Sequence, residues 1–253
     1  MPTEPVEPDE TVEPVDPAIA ALLAVINRVD GPKMQDMEPA EARAFFKKMV
    51  AVDGEPTPVR SVTDRTVPGP AGDIGVRVVV PEADRHDGVL VWLHGGGWVI
   101  GDLDTSESVA RRLAALAGCV VVSVDYRLAP EVQAPHPFED AWAATRWVAD
   151  HLEELGLPAD ARVAVGGDSA GGNLAALVAV RAAESGGPAL ALQLRVSPGV
   201  DLSGGHPSMD ENGEGYFLTR EQMEWFGAHY VPDGADLADP SLSPLFVPVE
   251  TLA

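Results

Sequence analysis

The feature that most constrains this chain is a serine flanked by glycines, where an apolar run meets a helical pattern. The strand-like run 163–165 leads into Gly-Gly-Asp-Ser-Ala-Gly-Gly-Asn, and an apolar helical pattern follows. A G-x-S-x-G sequence in this setting predicts a nucleophile elbow, a sharp strand-to-helix turn that exposes the hydroxyl of Ser169. Side chains larger than hydrogen would collide with the neighbouring strand or helix, so the turn needs Gly167 and Gly171.

A second glycine motif lies upstream, directly after an apolar run at 89–93 that predicts a strand. Gly95, Gly96 and Gly97 leave several backbone N–H groups free to converge on one point, as an oxyanion hole requires. Ala170 is expected to open the helix after the serine, so its unpaired N–H and the helix dipole would act at the same place. A glycine-rich turn and a serine N-cap are the alternative, which two motifs in this order disfavour.

Four segments together resemble the hormone-sensitive-lipase family of α/β-hydrolase carboxylesterases, in the branch named after Gly-Asp-Ser-Ala-Gly. They occur in the family's order and spacing, at residues 94–98, 101–105, 125–131 and 167–173. The resemblance extends from Val62 to the last residue. It implies an α/β-hydrolase fold: a mainly parallel sheet, helices on both faces and a helical cap over the active site.

The resemblance also implies a chemistry. Ser169 would attack the carbonyl of a short-chain acyl ester, and N–H groups among Gly95, Gly96, Gly97 and Ala170 would hold the oxyanion. Which two glycines contribute is left open. The resemblance implies no metal and no organic cofactor, because acyl transfer to a serine needs neither.

Several neighbours of these motifs are expected to have structural roles. Asp168 stands beside the serine, and we expect it to be a hydrogen-bond acceptor within the turn rather than the acid of a catalytic triad. Tyr126, Arg127 and Glu131 are expected to brace the sheet and a helix rather than to contact substrate.

Composition excludes several classes of partner. The chain has 253 residues, 45% of them hydrophobic, which is ample for a core. Its net charge of −23 argues against nucleic acid and anionic membrane surfaces as partners. The sequence shows neither a secretion signal nor an apolar stretch long enough to cross a membrane, so a cytoplasmic protein is expected. Cys119, in an apolar run, is expected to be a buried, inert thiol.

Strand-like and helix-like segments alternate along the chain, which predicts an α/β architecture with a mainly parallel sheet. The predicted strands are 59–65, 76–80, 89–93, 120–124, 163–165 and 190–196. The predicted helices are 18–29, 39–50, one capped by Thr105 or Ser106 and ending at Gly118, 137–155, and one from a capping box at Thr219 to Tyr230.

Four regions are predicted. Residues 1–17 alternate proline with acids and are expected to be a disordered leader. Residues 18–58 would supply N-terminal cap helices, and residues 59–253 the α/β-hydrolase core, with a second cap segment at 201–232. The alternative for the N-terminal helices is that they simply pad the core. Residues 201–215 are rich in glycine and acids and predict a mobile loop.

The acid and histidine of a catalytic triad are not found. In this fold they follow the serine, in the order Ser, acid, His, and no matching segment occurs before Ala253. The chain is therefore expected to lack the last two core strands and to be a fragment. Only His206 and His229 follow Ser169, and whether either substitutes as the base is left open. His94 is expected to be structural.

Three hypotheses remain at this point. The first is a carboxylic ester hydrolase, with amide or lactone hydrolysis as a variant and a small-molecule ester as its partner. The second is a non-catalytic small-molecule binder that keeps the pocket and lacks the base. The third is an inactive remnant. A homodimer is left open, although the edge strand through which such proteins pair would be missing.

Overall fold

The computed structural model describes residues 15–28, 31–51, 54–84 and 86–252. Its sheet has six strands in the order β1-β2-β4-β3-β5-β6. The strands are β1 (Ser61–Gly69), β2 (Gly72–Val80), β3 (Gly88–Leu93), β4 (Val120–Asp125), β5 (Arg162–Asp168) and β6 (Leu190–Val196). Strands β4, β3, β5 and β6 are parallel, whereas β1, β2 and β4 pair antiparallel.

Seven helices are found among the described residues. They are α1 (Pro17–Ile26), α2 (Pro39–Val50), α3 (Leu103–Ala117), α4 (His136–Asp150), α5 (Ala170–Ser185), α6 (Pro207–Glu211) and α7 (Arg220–Tyr230). Short 3₁₀ helices occupy Met34–Asp36, Leu152–Leu155, Pro244–Phe246 and Val249–Leu252. None of the helices described here is long and apolar enough to cross a bilayer.

Helices cover both faces of the central strands, so these strands are apolar on both sides. On one face of β3, Val89, Val91 and Leu93 pack with α4 and α5. On the other face, Leu90 and Trp92 pack with α3. Strands buried on both faces lose the polar alternation of a surface strand, which explains the continuous apolar runs in the sequence.

The strand order places the two glycine motifs side by side. After β3 the chain passes through α3 to β4 on one side of β3, and it returns through α4 to β5 on the other side. Leu93, the last residue of β3, pairs with Gly167 on β5. In open α/β sheets, ligands bind in the crevice at such a switch point, at the carboxyl ends of the strands.

The predicted fold class is confirmed, and the prediction for β6 matches its bounds. The start predicted for α3 is wrong: the helix begins at Leu103, because the Asp102 side chain accepts a hydrogen bond from the N–H of Thr105. The single helix predicted at 137–155 is also wrong. It ends at Asp150, and a 3₁₀ turn follows, which Gly156 closes in the left-handed conformation.

Part of the predicted N-terminal region lies outside the residues that the structure describes. Residues 1–14 of the expected leader lie outside the described residues, and so does Val29 at the end of the first predicted helix. The Asp16 side chain caps α1 at the N–H groups of Ala18 and Ile19. The loop predicted at 201–215 contains the short helix α6.

Cys119, expected to be buried, is only half-buried. That partial burial still raises the pKa of its thiol.

Replacement of Leu174 by alanine is expected to lower the free energy of unfolding by about 2–5 kcal/mol, because a fully buried leucine would leave a cavity against β3 and β5. Urea denaturation followed by circular dichroism measures this loss. Leu116→Ala is the matched control, since that side chain is 84% exposed, and its effect should stay within about 0.5 kcal/mol. Equal losses in the two variants would contradict the assigned core.

Candidate active site

Ser169 occupies a strained position between β5 and α5. Its φ of 50° and ψ of −116° lie outside the regions that serine readily adopts. Backbone hydrogen bonds hold it there: its N–H donates to Val196 O at 2.9 Å, and its carbonyl accepts from Asn173 N at 3.0 Å and Gly199 N at 3.2 Å. The side chain is partly exposed. This geometry is that of the predicted elbow, where surrounding structure overdetermines a conformation that costs free energy.

The glycines of the elbow are sterically required. A Cβ at Gly167 would lie closer than 3.0 Å to the Gly171 backbone and to the carbonyl oxygen of Leu93. A Cβ at Gly171 would lie closer than 3.0 Å to the carbonyl oxygens of Leu93 and His94. The start of α5 therefore lies directly against the end of β3, as the sequence predicts.

The glycine run after β3 forms a tight turn with two uncommitted amides. The N–H of Gly95 donates to Asp168 Oδ1 at 3.0 Å, so it is already used. The Gly96 carbonyl accepts from Val99 N at 3.0 Å and Ile100 N at 2.9 Å, which closes the turn. Among the described residues, the N–H groups of Gly96 and Gly97 have no hydrogen-bond partner.

Ala170 supplies a third N–H group beside this turn. It is the first residue of α5 and is 2% exposed, and no residue in the described ranges accepts its N–H. The first N–H groups of a helix have no partner within it and carry the positive end of its dipole. Of the four predicted oxyanion donors, the structure thus leaves the amides of Gly96, Gly97 and Ala170 available and commits that of Gly95 to Asp168.

Stacking and hydrogen bonds hold the His94 residue next to the glycine turn. Its ring stacks on Tyr126 with centroids 4.4 Å apart, its Nδ1 lies 2.8 Å from Gly95 O, and the Tyr126 hydroxyl donates to His94 O at 2.6 Å. Burial lowers the pKa of His94, so the ring is neutral near pH 7. These contacts support the structural role expected for it.

The expected bracing contacts are present. Arg127 binds Asp140 on α4 through Nε and a terminal nitrogen, each at 2.7 Å, and Asp140 is almost fully buried. Glu131 forms an ion pair with Arg43 on α2. Asp168 accepts the Gly95 N–H, as expected of a structural carboxylate. Burial raises the pKa of Asp168, and the hydrogen bond from Gly95 opposes that shift.

Among the described residues, neither histidine that follows Ser169 is hydrogen-bonded to it. His206 Nε2 lies 2.9 Å from Asp201 Oδ2, and the His229 ring packs edge-on against Trp225 at 4.6 Å. Across the described ranges, no histidine forms a hydrogen bond with the Ser169 hydroxyl. The structure therefore places the start of α5, just after the serine, against the end of β3, which leads into the glycine run, and within the described residues it gives the serine hydroxyl no histidine partner.

Helix α7, in the segment 201–232 expected to be part of a cap, lies over the glycine turn, but the sequence analysis did not identify the side chains that make the contact. A Cβ at Gly97 would meet the ring of Phe226. Tyr230 stacks on Trp98 with centroids 4.1 Å apart and planes 4° from parallel. Aromatic residues four apart on a helix share one face, and this spacing is the signal from which the contact could have been suspected.

Two surface cavities lie elsewhere. They measure about 540 and 480 Å³ and share Trp142, Arg146 and Asp150 on α4. The first also borders Arg181 and Ser185, at the opposite end of α5 from Ser169, so neither belongs to this site. Within the described part of the chain, no cluster of three or more His, Cys, Asp or Glu side chains could hold a metal ion.

Comparison with known sequences identifies relatives over most of the chain. A family model described as alpha/beta hydrolase fold matches residues 90–253. The carboxylic ester hydrolase LipN of Mycobacterium tuberculosis is 41% identical over 222 residues, which are 86% of this chain and 59% of the relative. Carboxylesterase NlhH of the same species is 44% identical over 206 residues, 80% of this chain and 63% of the relative. The chain thus spans about three fifths of the length of these relatives.

A third sequence relative and two solved structures are also similar to this chain. The ethyl acetate hydrolase of Pseudomonas putida is 37% identical over 218 residues, 84% of this chain and 68% of that protein. An esterase from Pyrobaculum calidifontis superposes with a TM-score of 0.86 at 38% identity, covering 94% of this chain and 77% of its own. A thermostable esterase from Pseudomonas putida gives 0.87 at 36% identity, covering 92% and 73%.

Substitution of Gly171 by alanine is expected to destabilise the protein by about 1–3 kcal/mol. The new Cβ would collide with the backbone carbonyls of Leu93 and His94, which would have to shift. Gly227→Ala is the matched control. That glycine lies inside α7, and no atom lies within 4 Å of the place that a Cβ would occupy, so alanine should stabilise by about 0.5–1 kcal/mol. Opposite signs in urea denaturation support the close approach of α5 to β3; a gain for both variants contradicts it.

The raised pKa of the Asp168 carboxyl predicts that the free energy of unfolding depends on pH. Because its pKa is raised in the folded state, ionisation costs stability above that pKa, and the cost disappears as the pH falls below the unfolded value. Asp168→Asn keeps an oxygen for the Gly95 N–H and removes the charge. We expect the variant to gain stability relative to the parent more at about pH 8 than at about pH 4.5, measured by urea denaturation. A stability difference that is constant, or larger at the acidic pH, would refute the raised pKa.

Proposed function

The chain belongs to the alpha/beta hydrolase fold family, among relatives of the hormone-sensitive-lipase type, and on that basis we propose that it is a carboxylic ester hydrolase with Ser169 as its nucleophile. The observation that carries the proposal is the strained backbone of Ser169 beside three uncommitted N–H groups. Strain of this kind persists where the surrounding structure imposes it, and it is concentrated at functional sites.

The reaction would proceed by acyl transfer. The Ser169 oxygen attacks the carbonyl carbon of the ester, the carbonyl π bond breaks, and the oxygen of the carbonyl becomes an oxyanion. The N–H groups of Gly96, Gly97 and Ala170 would receive that charge. They are fixed before the reaction by the turn closed at Gly96 and by the start of α5, so little reorganisation is needed. The carbonyl then re-forms, the bond between the carbonyl carbon and the alcohol oxygen breaks, and the alcohol leaves with a proton. Water attacks the resulting acyl-serine in the same way, which releases the carboxylic acid and restores the Ser169 hydroxyl.

The hydroxyl proton of Ser169 must pass to a base as the attack proceeds. The two histidines that follow the serine are held by Asp201 and by Trp225, respectively. We therefore infer that proton transfer limits the rate in the 253-residue chain, and that a small imidazole supplied from solution accelerates it.

We further propose that residues 18–58 and 201–232 form a cap over this site. Phe226 of α7 lies against Gly97, and Tyr230 stacks on Trp98. The N-terminal segment reaches the same region, since Asn27 donates to Gly215 O at 2.9 Å and Lys33 pairs with Glu221 at 3.3 Å. These contacts support a role beyond padding of the core.

The proposed substrates are esters with short acyl chains. The Phe226 ring lies next to Gly97, where the acyl group would have to fit against the amide donors. A bulky aromatic ring in that position leaves little room for a long chain. One relative is named an ethyl acetate hydrolase, which is in keeping with this size preference.

A second candidate function is non-catalytic binding of a small molecule at the same place. It is favoured by one observation: within the described residues, no histidine bonds to the Ser169 hydroxyl. A serine without a base is a weak nucleophile, whereas the amide donors and the overlying α7 could still hold a ligand that carries a carbonyl or carboxylate.

Turnover of p-nitrophenyl acetate and butyrate, with and without about 50 mM imidazole, tests the catalytic proposal. Ser169→Ala should lower turnover at least about tenfold, because the nucleophile is lost while the oxyanion donors remain. Imidazole should raise the rate of the parent chain above its effect on Ser169→Ala. Mass spectrometry should detect an acyl-serine on residue 169.

Ser185→Ala is the matched control, since this serine lies at the other end of α5, where its hydroxyl bonds to Arg181 O, and the variant should match the parent. If Ser169→Ala turns over the ester as fast as the parent does in both conditions, the hydrolase proposal fails. Saturable binding of p-nitrophenyl butyrate by Ser169→Ala, with no acyl-serine in the parent, would instead support the binding function.

A further inference from the structure

Helix α2 is tied to the glycine turn by one side chain, Arg43. Its Nε donates to the carbonyl of Val99 at 2.8 Å, and one terminal nitrogen donates to the carbonyl of Ala129 at 2.8 Å. The same guanidinium binds both carboxylate oxygens of Glu131, at 2.7 and 2.6 Å. Arg43 thus joins three segments that are distant in sequence.

Val99 belongs to the turn that carries the proposed oxyanion donors. The turn is fixed at Gly96, whose carbonyl accepts two N–H groups, and at Trp98, whose carbonyl accepts Ala129 N at 2.8 Å. Trp98 has a φ of 61°, a conformation that a bulky residue adopts only when held there. In the described structure, Arg43 supplies the one hydrogen bond to the carbonyl of Val99, at the end of the turn.

We propose that Arg43 is a positioning residue for the oxyanion hole, which aims the N–H groups of Gly96 and Gly97 by clamping the carbonyls of Val99 and Ala129. This inference rests on the proposed function. Arg43 has no hydrogen bond to Ser169 among the described residues; its bonds go to the carbonyls of Val99 and Ala129 and to Glu131, and it acts through the backbone of residues 96–99.

The chemistry of the guanidinium suits this clamp. Three of its nitrogens serve four bonds at once in fixed directions, a pattern that a lysine ammonium cannot reproduce. The side chain is 29% exposed, so water competes only partly for these bonds. The Arg43 guanidinium lowers the pKa of Glu131, so the carboxylate stays charged near pH 7 and holds the guanidinium in orientation.

A matched control lies one turn further along α2. Lys47 pairs with Asp102 at 2.9 Å and Asp104 at 2.6 Å, and so ties the same helix to the start of α3. Within the described residues, it forms no hydrogen bond or ion pair with residues 96–99. Lys47→Met therefore removes two ion pairs from α2 without removing a hydrogen bond to residues 96–99, whereas Arg43→Met removes the clamp.

For Arg43→Met, we expect kcat for p-nitrophenyl butyrate, measured with imidazole, to fall about 10- to 100-fold, with KM nearly unchanged. The reason is that N–H donors held in the wrong direction weaken binding of the transition state more than binding of the ground state. Arg43→Lys should keep thermal stability close to that of the parent and still lose most of kcat. Lys47→Met should retain kcat within about twofold.

Hydrogen exchange gives a readout that does not depend on turnover. The N–H groups of Val99 and Ile100 are bonded to Gly96 O, so the peptide covering residues 95–101 reports the integrity of the turn. Its exchange in the 253-residue chain should accelerate about tenfold or more in Arg43→Met, as the local opening free energy falls. Exchange in Lys47→Met should match that of the parent.

The outcomes separate this inference from the proposed function. If the parent shows no turnover that depends on Ser169, the proposed function fails. Hydrogen exchange over residues 95–101 then still tests whether Arg43 positions the turn. If exchange over residues 95–101 is the same in Arg43→Met as in Lys47→Met, Arg43 does not position the turn. Equal kcat values in these two variants, or a loss confined to KM, would also overturn the inference.

Discussion

The site depends on one close approach, between Gly171 on the first turn of α5 and the carbonyl of Leu93 at the end of β3. No side chain fits between them, since even a Cβ would lie closer than 3.0 Å to that oxygen. This contact brings the start of α5 beside the glycine turn, so that N–H groups from two separate segments can converge. Widening it would require β3 to move within a sheet whose central strands are packed on both faces, where displacement is costly.

The strand order explains why the two glycine motifs, far apart in sequence, meet there. The chain leaves β3 through α3, adds β4 on one side, and returns through α4 to place β5 on the other side. Both motifs follow the carboxyl ends of neighbouring parallel strands, paired at Leu93 and Gly167. A crevice forms where the connections diverge to opposite faces of the sheet, and it is filled by the glycine turn and the serine.

The sequence predicts the parts of this site that depend on local geometry. The elbow and the glycine run are recognisable because a few adjacent residues determine each turn. Contacts between distant segments carry no such local signal: Arg43 on α2 and Phe226 on α7 reach the turn through tertiary packing. The use of the Gly95 amide by Asp168 is hidden for the same reason, since it joins residues 73 positions apart. Helix boundaries fail where a side-chain cap decides them, as Asp102 does for α3.

The oxyanion donors and the base of such a site are held in different ways, and His94 shows why this matters. Backbone donors are held by steric exclusion and by hydrogen bonds to the turn, among them those that Arg43 donates to the carbonyls of Val99 and Ala129. A base needs a ring nitrogen that is free and aimed at the serine. His94 directly precedes the glycine run, yet its ring is stacked on Tyr126 and held at Nδ1 by Gly95 O. Its Nε2 is buried and forms no bond with the Ser169 hydroxyl among the described residues, so His94 would stabilise the proposed donors, and the proposed proton transfer would rely on a different group.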